Sequence, residues 1–178
     1  MEHTEIQRCP RKLAWMLSIA AAFSMSMILL TSVLLAYDAR AGYEEVWIPA
    51  LIVAMMIGGL GILFYFSRLL VRISETGIFV RFSPFQIKGR LFPWNDIVSI
   101  TIRRVSPFAE FGGWGIRWNL LGKRLGYVWN GEYGIELSTV SGRVVVVTIY
   151  DIDGACRAVN TYATSDNTLV IIQDRSIT

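Results

Sequence analysis

Two uncharged apolar blocks, Leu13 to Tyr37 and Val46 to Phe66, constrain this chain more than any other feature. At about 1.5 Å of rise per helical residue, each is long enough to cross a hydrocarbon core of roughly 30 Å. Pro49 falls in the first turn of the second block, where a missing N–H costs little. The blocks explain a hydrophobic content of 53% with only 17% charge, too apolar for a soluble domain of 178 residues. Arg8, Arg11 and Lys12 before the first block, and Ala39-Arg40-Ala41 after it, imitate a secretion signal. A cleavable apolar core is only about 7–15 residues long, so the first block is expected to remain as a span.

Basic residues set the orientation. Arg8, Arg11 and Lys12 precede the first block, Arg68 and Arg72 follow the second, and the short connection Asp38 to Glu45 holds Arg40 with three acids. The positive-inside bias therefore predicts a multi-pass protein of the inner (cytoplasmic) membrane, with both termini cytoplasmic and the helices as antiparallel neighbours. Trp15, Tyr37, Tyr43, Trp47 and Tyr65 fall where interfacial rings are favoured. Small residues recur at Ala14, Ser18, Ala22 and Ser26, and at Ala50, Ala54 and Gly58. Ser26 and Gly58 come to similar depth and are the expected packing point, between the two helices or with another subunit; the general abundance of small residues in membrane helices explains the same stripe.

After Arg72 the pattern becomes short β-prone runs. Ile78–Phe82, Ile97–Val105, Tyr133–Leu137 and Val144–Ile149 read as strands, with turns at Glu75-Thr76-Gly77 and Ser141-Gly142. Asp151 to Tyr162 reads as one amphipathic helix with Ala155, Val159 and Tyr162 on a face and Asp151 or Asp153 as its cap. The expected organisation is a cytoplasmic segment 1–12, a transmembrane hairpin 13–66, a cytoplasmic β domain 67–164 and a tail 165–178, in which "TLVIIQ" is either an edge strand or disordered.

The stretches "ISETGIFVRFSPF", "FPWNDIVSITIRRVSPF", "FGGWGIRW" and "GYVWNGEYGIEL" resemble bacterial membrane-anchored proteins with a pleckstrin-homology-like domain. The resemblance covers roughly Arg72 to Val159. It implies an α+β membrane protein: a two-helix transmembrane hairpin followed by a β-barrel of about seven strands capped by one C-terminal helix. It carries no established activity. Its most specific part is Gly112, Gly113, Trp114, Gly115, Ile116 and Arg117 with Gly126, Tyr127, Val128 and Trp129. No Lys-Ser/Thr pair follows these glycines, so a turn or bulge that packs Trp114 over a barrel end is expected rather than a phosphate loop. Trp114, Trp118, Tyr127 and Trp129 could be core, rim or a membrane-facing belt. Pleckstrin-homology lipid sites commonly use basic residues near the first strands, for which Arg81, Lys88 and Arg90 are the nearest counterparts; an ordinary solubilising or positive-inside role explains the same charges.

No catalytic residue is expected: the carboxylates are scattered over separate turns, and no nucleophile has a base beside it. Cys9 and Cys156 are expected to be reduced structural thiols, and His3, near an expected frayed end, leaves a metal centre without partners. Neither metal nor cofactor is expected. From Ser67 to Thr164, twelve Lys or Arg stand against seven Asp or Glu. With about five residues of linker reaching at most roughly 18 Å, the domain is expected to rest on anionic headgroups through Arg68, Arg72, Lys88 and Arg90. The expected function is a non-catalytic, membrane-anchored scaffold or protein-interaction module at the cytoplasmic surface; the alternative is recognition of anionic lipid headgroups. Membrane lipids, and a protein partner or a second copy, are the expected partners. Nucleic acid is not.

Overall fold

Apolar residues that stay exposed along much of the described length of two helices separate one part of this chain from the rest. In a computed structural model that describes residues 2–37, 43–119, 124–163 and 169–172, the chain divides into two units. One is Cys9–Phe66; the other joins Met1–Arg8 to Ser67–Thr178.

The first unit consists of α1 (Arg11–Tyr37) and α2 (Tyr43–Tyr65), which pack on each other. Among the described residues one helix, Arg11–Leu34, is long and apolar enough to cross a membrane; the apolar stretch described in α2, Leu51–Tyr65, is shorter. The connection expected over Asp38 to Glu45 lies outside the described residues up to 42, and α2 starts at Tyr43. The less exposed positions, Ala14, Leu17, Ala21, Ser24, Ile28 and Ser32 in α1 and Ala54, Ile57, Gly61 and Phe64 in α2, recur three and four apart. That is the spacing of a two-helix seam. Hydroxyls within α1 are satisfied inside the helix: Ser18, Ser24, Thr31 and Ser32 donate to the carbonyl four residues back, and Ser26 to Phe23. A hydroxyl bonded within its own helix needs no partner from outside it.

The second unit is β-rich. Sheet one contains β1 (His3–Gln7), β2 (Arg68–Ser74), β3 (Gly77–Ser83) and β4 (Arg90–Pro93), in that order and antiparallel throughout. Sheet two contains β5 (Ile97–Arg104), β6 (Gly115–Asn119), β7 (Arg124–Val128), β8 (Tyr133–Thr139), β9 (Val144–Ile149) and β10 (Leu169–Ile172), ordered β10-β5-β8-β9-β7-β6. The β10–β5 and β7–β9 pairs are parallel. A short helix α3 (Pro107–Phe111) interrupts the strands, and α4 (Ile152–Ala163) follows β9. Alternation along β2 and β3 sends Leu69, Val71, Ile73, Ile78, Val80 and Phe82 into the core. Phe82 meets Trp129 edge-on at 4.9 Å, joining the cores of the two sheets. Ala155, Ala158, Val159 and Ala163 are the buried face of α4, whose first turn is capped where Gly154 N–H donates to the Asp151 carboxylate at 3.0 Å.

The α+β class holds, with three differences from the sequence expectation. Among the described residues one helix, not the two of the expected hairpin, has the length and apolarity of a span, because the apolar stretch described in α2 is short. Two more differences concern the β unit. The strands form two open sheets of four and six rather than a closed barrel of seven, because β1 and β10 add edges and no ladder joins one sheet to the other among the described residues. The first residues are not a frayed end: His3 to Gln7 pair with Ile73 to Leu69. Leu169–Ile172 resolves the two readings of the tail in favour of an edge strand on β5.

Candidate functional site

A cleft of the β unit, about 140 Å³, opens where β4 faces the β8–β9 hairpin and the β6–β7 edge. Arg90, Leu91 and Phe92 come from β4, Asp96 from the turn after it, Trp118 and Leu125 from β6 and β7, and Thr139, Ser141, Arg143 and Val145 from the hairpin. The Arg90 guanidinium lies 5.4 Å from the centre of the Phe92 ring, a cation–π distance that holds the charge at the cleft wall. The hairpin uses its own hydroxyls: Thr139 Oγ1 lies 3.0 Å from Ser141 Oγ and donates to Arg143 O at 2.9 Å. Gly142 supplies the positive φ of 74° that this turn needs. The charged side chains that line the cleft are Arg90, Arg143 and Asp96.

The four residues expected on lipid are not brought together. Arg68 opens β2 and Lys88 lies in the β3–β4 loop, both exposed; Arg68 pairs across with Ser83, the last residue of β3, so these two share an end of sheet one. Arg72 lies further along β2, with its Nε 3.2 Å from Glu2. Arg90 lines the cleft. Arg81 is exposed on the outer face of β3.

The glycine-tryptophan motif is a turn, as expected, but not over a barrel end. Gly112 ends α3 at φ 69°, its N–H donating to Phe108 O at 3.0 Å. Gly113 and Gly115 also take positive φ. Trp114 packs edge-on against Phe108 of α3 at 4.6 Å, and Arg117 Nε donates to Trp114 O at 3.1 Å. Tyr127 and Trp129 are core, while Trp118 is half exposed at the cleft. Gly126 is flat under the Phe111 ring, where a Cβ would collide.

Among the described residues, a cluster of four charged side chains lies beside this motif. Arg103 donates both terminal nitrogens to Glu110, at 3.0 and 2.6 Å, and Nε to Glu136 at 2.8 Å. Arg124 approaches the other Glu136 oxygen at 3.8 Å. The hydrogen bonds from Arg103 hold the Glu110 carboxyl below its ordinary pKa, and those bonds in turn raise Arg103. This fork fastens α3 to the sheet.

Ser26 and Gly58 do not meet: both are exposed, and a Cβ on Gly58 would touch nothing within 4 Å. The seam instead uses the positions three and four apart given above. Burial pushes the thiols of Cys9 and Cys156 up. Among the described residues no three His, Cys, Asp or Glu side chains gather as metal ligands.

What the sequence missed most completely is the cluster around β1. Gln7 is 3% exposed; its Nε2 donates to Thr148 O at 2.6 Å and its Oε1 accepts from Asn130 N–H at 3.0 Å. Glu5 accepts from the backbone N–H groups of Tyr150 and Asp151 at 2.8 and 2.9 Å. His3 lies between Glu5 and Asp151, 3.8 and 3.9 Å away. No protein-family model matches the chain, and no curated protein matches it.

Proposed function

We propose that this chain is a non-catalytic interaction module anchored in the inner membrane by two spans, its β unit working at the cytoplasmic surface. The observation that carries the proposal is the pairing of β1 with β2. β1 precedes the apolar helices and β2 follows them, so the chain leaves and re-enters the same end of one sheet. If α1 crosses the bilayer, α2 must cross back. The basic residues near both helix ends favour the cytoplasm for that side. A β unit followed by a helix packed through Ala155, Ala158 and Val159 fits a relation to bacterial pleckstrin-homology-like domains, with the sheets open.

The partner surface in this proposal is β6. Among the described residues it is bonded on one side only, to β7, and it exposes Ile116 and Trp118. An unpaired edge with apolar side chains suits strand addition by a protein partner or a second copy. Arg72, Arg103, Arg104 and Arg124 already face carboxylates, which weighs against nucleic acid. Arg90 and Arg143 in the cleft favour a second reading, recognition of an anionic lipid headgroup.

Single cysteines at Thr4, Thr76 and Gly42, in a chain lacking Cys9 and Cys156, test the topology with a membrane-impermeant thiol reagent. Thr4→Cys and Thr76→Cys should label from the cytoplasmic side and Gly42→Cys from the other. Equal accessibility would overturn the two-span proposal. In intact membranes, a photoreactive residue at position 116 giving one discrete protein adduct favours the interaction module. Lipid adducts that depend on Arg90 and Arg143 favour the second reading.

A further inference from the structure

The β3–β4 loop, residues 84–89, presents large apolar side chains at the one end of sheet one where the chain passes to and from the apolar helices. Register establishes that end. Gln7, the last residue of β1, pairs with Leu69; Arg68, the first of β2, pairs with Ser83, the last of β3. The loop leaves from Ser83 and returns at Arg90, which pairs with Val80. The opposite end holds the Glu75-Thr76 turn, where Ser74 pairs with Gly77. Only Phe66 and Ser67 separate α2 from β2, a reach of about 10 Å when extended.

Ile87 is 82% exposed, the highest value among the large hydrophobic residues described, and Phe85 is half exposed. Two such residues two positions apart, with Lys88 after them, are not the single scattered apolar side chain that any surface carries. Nor is the loop a loose excursion. Gln86 between them points inward: its N–H donates to Phe82 O at 2.7 Å and its Nε2 to the Tyr127 hydroxyl at 3.3 Å. Phe85 stacks on Phe82 at 5.5 Å, and Phe82 rests on the buried Trp129. Gly89, at φ 66°, lies against the Phe79 ring, where a Cβ would collide. The loop's start is thus packed on the core through Phe85 and Gln86 and its end on the outer face of β3 through Gly89, while Ile87 and one edge of Phe85 are turned out. Lys88 follows them, and Arg68 stands across from the loop's origin.

We infer that residues 84–89 form an interfacial wedge: Ile87 and the outer edge of Phe85 enter the headgroup–acyl boundary, with Lys88 and Arg68 on anionic headgroups. Apolar tips flanked by cations are what a leaflet of anionic lipid takes up. The wedge rests on the membrane-anchored reading above, and it gives the β unit a fixed orientation as a third attachment beside the two helices. It differs from a purely electrostatic contact in requiring apolar side chains and in surviving high salt.

The test uses the full chain with Cys9 and Cys156 replaced by Ser, reconstituted in vesicles of phosphatidylethanolamine and phosphatidylglycerol. An environment-sensitive fluorophore is attached to Ile87→Cys, to Thr76→Cys at the far end of the sheet, or to Phe23→Cys within α1. Lipids carrying a quencher high on the acyl chain should dim the label at 87, in high salt as well as low, and leave the label at 76 unchanged. Quenching at 23 by a deep quencher with none at 87 would overturn the wedge alone. No quenching at either would overturn the wedge and the anchoring together. A blue-shifted label at 87 that no lipid quencher reaches would also overturn it, in favour of a covering protein.

Discussion

Gln7 carries more of the fold than any other polar side chain near the start of the chain. Both ends of its amide are used, on a carbonyl and an N–H more than a hundred residues away in sequence, and Thr148 Oγ1, which accepts from Trp129 N–H, lies 3.4 Å from its Oε1. A side chain of similar size without polar atoms would strand these groups in the interior. Gln7→Leu is expected to destabilise the β unit by about 2–3 kcal/mol, the cost of leaving buried partners unsatisfied. Ile6→Ser, one position earlier on the exposed side of β1, should stay within about 0.5 kcal/mol of the parent. Denaturant midpoints of the two variants in detergent make the comparison; equal effects would mean that β1 is held by its ladder and not by Gln7.

At the scale of elements, α3 poses the clearest question, since five residues cannot sustain a helix by themselves. Four contacts hold it: the Arg103–Glu110 fork, the Ser106 N–H bonded to Glu110 at 2.9 Å, Phe111 laid over Gly126, and Phe108 against the Trp114 ring. Because Glu110 titrates lower in the folded chain than in the unfolded one, acid protonates the unfolded form first. The stability it contributes is complete above the ordinary carboxylate range and is lost as pH falls through the depressed folded value. Glu110→Gln should cost about 1–2 kcal/mol at neutral pH, as expected for charge-assisted hydrogen bonds. The gap between parent and variant should close as the pH is lowered. Midpoints from a series of denaturant titrations at falling pH check this; curves that stay parallel would show that the charge of Glu110 plays no part in holding α3.

For the whole molecule, the arrangement of an insertion matters most. The apolar helices interrupt a sheet whose strands before and after them are neighbours, so the β unit is continuous in space though divided in sequence. Most of the exposed large hydrophobic side chains belong to those helices. Removing Cys9–Phe66 and joining Arg8 to Ser67 through Asn-Gly, a dipeptide suited to a tight hairpin, is therefore expected to leave a water-soluble protein. Its circular dichroism should be dominated by β structure and it should unfold cooperatively. A product that is soluble but unfolded would show that the helices are needed to bring β1 to β2.

Local chemistry made much of this legible in the sequence. Unbroken apolar runs mark helices, alternation marks β3, β5 and β8, glycines at 77 and 142 mark turns that demand positive φ, and Asp151 marks a helix start; each signal is complete within a few residues. Of the cleft, Arg90 stood out as a basic residue near the early strands and Trp118 as a core, rim or belt residue, but Arg143 did not stand out and nothing joined the three, because only the strand order brings β4, β6 and the β8–β9 hairpin around one opening. The same holds for β1, whose five residues include just one large apolar side chain and become a strand by pairing with a segment some sixty positions away. The helix seam also differs from the expected stripe of small residues, since the covered face depends on which sides the two helices turn to each other. Periodicity and turn chemistry are properties of neighbouring residues, which the sequence lists in order. Strand partners, the face a helix covers and the groups a buried amide reaches depend on long-range closure, and only the tertiary structure decided those.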